Sequence, residues 1–168
     1  MKNHKLLTRS LLLLLILDIV FVYFFTSCRS DPVREYIKEN TELTIQDYPD
    51  KLIEMLRKNP ETEDFVLSYP IEKDLDHDID LSDCINTESV PLLLQFDKRW
   101  GYKEYGDDMI AFNGCGPTCL SMVSLYIKGD KNLTPLYVAN MAEKNGYYVD
   151  GVGSDWSLMT QGAAELGL

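Results

Sequence analysis

The chain has 168 residues, 27 of them acidic and 16 basic, for a formal net charge of −11. This excess of carboxylates excludes nucleic acid and anionic lipid headgroups as main partners, because the dominant phosphate contribution would be repulsive. Hydrophobic residues make up 45%, which rules out a chain too polar to bury a core.

Lys2, Lys5 and Arg9 precede an apolar run from Leu11 to Phe25 that only Asp18 interrupts. With Leu6 and Leu7 the run approaches the roughly 20 residues that span a bilayer, and the basic flank is the side that stays cytoplasmic. The expectation is a single-pass cell-membrane protein: a cytoplasmic flank (1–10), a transmembrane anchor or signal segment (11–26), and the remainder outside the cytoplasm. A cleaved signal peptide and a lipoprotein anchored at Cys28 are the competing forms, since Phe25-Thr26-Ser27-Cys28 partly matches a lipobox. The first 30 residues hold four basic residues (Lys2, Lys5, Arg9, Arg29) and one acidic residue (Asp18). The rest of the chain therefore carries 12 basic against 26 acidic residues, near −14, a charge compatible with basic peptides or cations.

Residues 27–47 are polar with little apolar periodicity and read as a spacer. Residues 48–89 read as a small helical arm and an acidic linker. Pro49 opens a helix carrying the stripe Leu52, Ile53 and Leu56, and Asn59-Pro60 ends it and starts a second through Phe65 and Tyr69. The alternating carboxylates Asp74, Asp76, Asp78 and Asp80 invite a calcium loop. Counting from Asp76, however, Leu81 stands where glycine is needed and Thr87 where glutamate is needed. No metal site is expected there, and His77 alone is no ligand set.

Val90 to Phe96 predicts a short extended segment that brings Gln95 beside the next helix, and Trp100 is expected in the core. Asn113-Gly114-Cys115-Gly116-Pro117-Thr118-Cys119 then places a thiol on a glycine-flanked turn before a proline suited to the first turn of a helix. Leu120, Val123, Tyr126 and Ile127 continue at helical spacing until Gly129-Asp130. Unpaired N–H groups at a helix start favour a nearby anion, here a thiolate, and so a nucleophile. Gly114 and Gly116, lacking Cβ, leave room for a substrate backbone to approach the sulfur. Thr134-Pro135 predicts another helix, ended by Asn145-Gly146. Ser154 or Asp155 caps a third, on which Trp156, Met159, Ala163 and Leu166 keep helical spacing. Cys84, Cys115 and Cys119 are an odd set, and Cys115-Gly116-Pro117-Thr118-Cys119 has one residue too many for a C-x-x-C redox motif.

Val90-Pro91-Leu92-Leu93-Leu94-Gln95-Phe96-Asp97-Lys98-Arg99-Trp100-Gly101-Tyr102, then Gly114-Cys115-Gly116-Pro117-Thr118, resembles the papain-like cysteine peptidases related to bacteriocin-processing, double-glycine leader peptidases. The likeness continues through Thr134-Pro135, Gly146-Tyr147-Tyr148 and residues 151–158, covering about residues 90–168. It implies an α+β papain-like fold, here truncated to its mainly helical lobe, behind the N-terminal membrane helix and the small arm. It further implies Cys115 as catalytic nucleophile, Gln95 as an oxyanion-hole donor, a peptide or protein substrate and no cofactor. The family's histidine and its aspartate or asparagine belong to a later lobe expected to pack on the helices. His4 and His77 both precede Cys115 and match neither role, so these residues alone are expected to be inactive. A catalytically inactive surface-binding module and a thiol-disulfide oxidoreductase using Cys115 and Cys119 are the alternatives.

Overall fold

The computed structural model describes residues 16–17, 31–40 and 42–168. They are mostly helical, with two short antiparallel ribbons, the mixed α and β content expected. The chain divides into two compact units between Asp47 and Tyr48.

The first unit contains a helix inside the stretch read as spacer, α1 (Pro32–Glu39). Asp31 caps it, its carboxylate accepting from Val33 N–H at 3.1 Å, and Pro32 occupies the first turn. At its far end Asn40 N–H donates to the Tyr36 carbonyl. A 3₁₀ turn comes next at Ile45–Asp47, with Asp47 accepting from the backbone and hydroxyl of Thr44.

Among the described residues no helix is long and apolar enough to cross a membrane. That finding corrects the expectation of a single-pass cell-membrane protein. Apart from Ile16 and Leu17, residues 11–26 lie outside the described residues, as do the basic flank and Cys28.

In the second unit the arm forms where its punctuation predicts. Helix α2 (Asp50–Lys58) starts directly after Pro49, and α3 (Glu63–Glu72) starts after a 3₁₀ turn at Pro60–Thr62. Leu52, Leu56, Phe65 and Val66 are buried. The arm is fastened to the later chain by Tyr102. Its ring stacks on Phe65 with centroids 4.2 Å apart, and its hydroxyl donates to the Phe65 carbonyl at 2.6 Å and meets Ser68 Oγ at 3.1 Å. Lys98 adds ion pairs to Asp64 and Glu72, at 2.8 and 3.4 Å.

Burial pushes the Tyr102 phenol well above its usual pKa of 10. The folded chain therefore holds this proton after the unfolded chain has lost its own. The contribution is complete below pH 10 and is lost as pH rises beyond it. Alkaline unfolding monitored by circular dichroism should show stability falling off above about pH 10, and Tyr102→Phe should flatten that decline. An equal decline in the variant would contradict this role for Tyr102.

Residues 90–94 belong to no helix or strand and 95–96 form a turn, closed by Asp97 N–H on the Leu94 carbonyl at 3.2 Å, which corrects the expectation of an extended segment through Phe96. Trp100 packs beneath them, wholly buried, its indole N–H donating to the Leu94 carbonyl at 3.0 Å. The ribbon β1 (Glu104–Tyr105) and β2 (Asp108–Met109) leads into the one-turn helix α4 (Ile110–Asn113) and then α5 (Cys115–Lys128). Gly129, at φ 62°, closes α5 in the left-handed conformation that glycine accepts without penalty. Helix α6 (Pro135–Lys144) packs against α5 and starts as predicted, with Thr134 Oγ1 accepting from Tyr137 N–H at 3.1 Å. Beyond it lies a second ribbon, β3 (Tyr148–Val149) and β4 (Gly153–Ser154). The third predicted helix is divided: a 3₁₀ turn at Trp156–Met159, capped by Asp155, then α7 (Gln161–Glu165). The core between these elements includes Trp100, Tyr105, Ile110, Leu125, Val138 and Leu158, each wholly buried.

Candidate functional site

Cys115 is the first residue of α5, two positions earlier than Pro117, where the proline signal predicts the start. A helix start leaves its first N–H groups without intrahelical acceptors, and Pro117 has none to offer, so those of Cys115 and Gly116 are the orphan donors. The thiol is exposed and unbonded, as is that of Cys119 one turn later, and Cys84 is half-buried and also free.

The two glycines beside Cys115 serve packing. A Cβ on Gly114 would lie 2.5 Å from Ile110 Cγ2 and 2.6 Å from the Ile110 carbonyl, because the chain doubles tightly from α4 into α5. A Cβ on Gly116 would lie 2.6 Å from Ser154 Oγ. The bare face of Gly116 therefore receives β4. This corrects the expectation that both glycines clear a path for substrate.

Beside the thiol lies a groove of about 240 Å³, walled by Phe112, Asn113, Cys115 and Gly116 on one side and by residues 152–156 with Met159 on the other. The second wall is the tip of the β3–β4 ribbon and the turn after it. Val149 pairs across to Gly153, and the loop turns on Gly151 and Gly153 at φ 70° and 102°. Polar bonds fix this ribbon to the thiol turn. Tyr105 Oη and Ser154 Oγ are 2.8 Å apart, and the amide nitrogen of Asn113 is shared among the Tyr105 carbonyl, Asp107 Oδ1 and Tyr148 Oη at 2.9–3.2 Å. Tyr148 Oη also donates to Asp107. Hydrogen bonds from Tyr148 and Asn113 hold the Asp107 carboxyl below its ordinary pKa, and burial raises that of the Tyr105 phenol.

Gln95 lies elsewhere in this arrangement. Its Nε2 donates to the carbonyls of Ile110 and Ala111 at 2.9 and 3.0 Å, and it is not among the residues lining the groove. It thereby braces α4, whose end is the turn carrying the thiol. His77 is remote in role as well: Nε2 lies 3.6 Å from a Glu72 oxygen and makes no hydrogen bond. No histidine lines the groove.

No family model, curated protein or solved structure matches this chain. Sequence reasoning misses most of the second wall. Spacing puts Trp156 on the apolar stripe of a helix, whereas it opens a 3₁₀ turn and is 82% exposed, lining the groove with Cys115. The available signal is Gly151-Val152-Gly153, whose two glycines mark a tight hairpin that points its central residue outward.

Proposed function

We propose that these residues form the nucleophile-bearing half of a papain-like cysteine peptidase. The single observation that carries the reading is the exposed thiol of Cys115 at the start of a 14-residue helix, open to a groove with a wall opposite. The thiolate attacks a peptide carbonyl carbon, and the carbonyl electron pair moves onto oxygen. The backbone N–H groups at Cys115 and Gly116 face the developing oxyanion, each donor of this kind being worth roughly 3 kcal/mol. Gln95 serves the site indirectly, its bonds to the Ile110 and Ala111 carbonyls bracing the turn that carries the thiol. The proton on the leaving amine must come from a general acid that none of the groove residues provides. The fold supports the reading in being helical around the thiol, and the ordered ribbon beside it explains why Gly116 and Ser154 are matched in shape.

A peptide aldehyde labelled with ¹³C at its carbonyl tests this without requiring turnover. Thiolate addition should give a thiohemiacetal carbon resonance in the native chain and none in Cys115→Ala. A native chain that is alkylated at Cys115 by iodoacetamide yet forms no thiohemiacetal would overturn the peptidase reading. It would favour a surface-binding module that keeps the fold and dispenses with the thiol. Cys115-dependent proteolysis by these 168 residues alone would overturn the expectation that the general acid lies elsewhere.

A further inference from the structure

The second wall of the groove has a chemical character that the thiol itself does not require. Trp156 presents an indole that is 82% exposed, an arrangement that leaves a large aromatic face in water and offers a platform to a passing group. Its chain neighbour Asp155 lines the same groove. Asp155 Oδ1 accepts from Ser157 N–H at 2.8 Å and from the Ser157 hydroxyl, which fixes the carboxylate at the head of the 3₁₀ turn. Those bonds also keep its pKa below the ordinary carboxylate value, so it is anionic across the neutral range. No lysine, arginine or histidine lines the groove. Lys51, which lies over the Phe112 ring, is paired with Asp108.

We infer that the Trp156–Asp155 wall selects a cationic side chain, lysine or arginine, on the peptide presented to Cys115. An ammonium or guanidinium group is drawn to an indole face and to a carboxylate at once, and the chain's net charge of −11 concentrates cations near its surface. The proposal rests on the nucleophile reading, in that it concerns what reaches the same sulfur.

Two small alkylating agents of equal reach and opposite charge test it on the whole chain: (2-bromoethyl)trimethylammonium and 2-bromoethanesulfonate. In each case the Cys115 thiolate displaces bromide and a thioether forms, so the product is permanent and no redox partner is needed. Cys119 lies one turn further along α5, is exposed, and does not line the groove, so it reports the general pull of the net charge. The cation-to-anion rate ratio, read by peptide mass mapping, should be higher at Cys115 than at Cys119. An indole platform and an exposed carboxylate should contribute roughly two- to fivefold each. Trp156→Ala leaves every charge in place and should lower the Cys115 ratio by its two- to fivefold share. Asp155→Asn keeps the capping acceptor and should do likewise. A ratio at Cys115 no greater than at Cys119, or one unmoved by Trp156→Ala in a folded variant, would overturn the proposal. Failure of Cys115 to react with neutral iodoacetamide would instead overturn the nucleophile reading beneath it.

Discussion

Gly106→Ala is expected to cost roughly 2–5 kcal/mol of stability, combining about 1–2 for a left-handed backbone with about 1–3 for overpacking. Gly106 lies in the β1–β2 turn at φ 69°, and a Cβ there would overlap the ring of Tyr148. That ring cannot yield easily. It packs edge-on against Tyr105 with centroids 5.0 Å apart, and its hydroxyl is bonded to Asp107 and Asn113. Gly106 N–H also donates to Glu143 Oε1 at 2.8 Å, so the turn is tied to α6 as well as to the β3–β4 ribbon. The variant should show a lowered denaturant midpoint and a Cys115 whose cation-to-anion alkylation ratio falls to that of Cys119, since the groove wall has shifted. A midpoint equal to that of the native chain would show that the ribbon does not depend on this close approach.

Trp100→Ala should cost about 3–5 kcal/mol, the usual range for emptying the site of a large buried aromatic. Against a total of about 5–15 kcal/mol for a domain, that is enough to leave the second unit marginal. The indole is wholly buried, holds the Leu94 carbonyl, and carries the Arg99 guanidinium over its face at 4.7 Å. The turn that bears Gln95 starts from the Leu94 carbonyl that the indole holds. Trp100→Phe keeps most of the apolar area and removes one of the two donors to the Leu94 carbonyl, Asp97 N–H at 3.2 Å being the other, so its cost should be smaller, about 0.5–1.5 kcal/mol for the lost bond. Urea titration of both variants separates the two contributions, and equal costs would contradict the assignment of the larger share to the buried aromatic area.

Local chemistry makes much of the helical framework legible in the sequence. A capping residue before a proline locates α6 at Thr134-Pro135, and Pro49 and Asn59-Pro60 locate the arm helices. The same signature stands at Asp31-Pro32, where α1 begins. There the surrounding charge hides the apolar periodicity, and the segment reads as spacer. The ribbon at 148–154 escapes for a different reason: two-residue strands hold no alternation to detect, and their partners are chosen by Tyr105, Asp107 and Asn113 from more than 30 positions away. Gln95 illustrates the same limit. The motif puts an amide near the thiol helix, but which acceptors its two N–H groups find depends on where the carbonyls of α4 end up. The glycines at 114 and 116 stand out in the sequence, yet their neighbours Ile110 and Ser154, which no local pattern reveals, decide what they are for.

A peptidase nucleophile at Cys115 requires an open and activated sulfur. The most direct test is timed alkylation of the native chain by iodoacetamide at about neutral pH, with each cysteine-bearing peptide quantified by mass. Cys115 should be modified well ahead of Cys119, although both are exposed on the same helix, and ahead of half-buried Cys84. Equal rates at Cys115 and Cys119 would mean that the helix start confers no reactivity, and the nucleophile reading would fail.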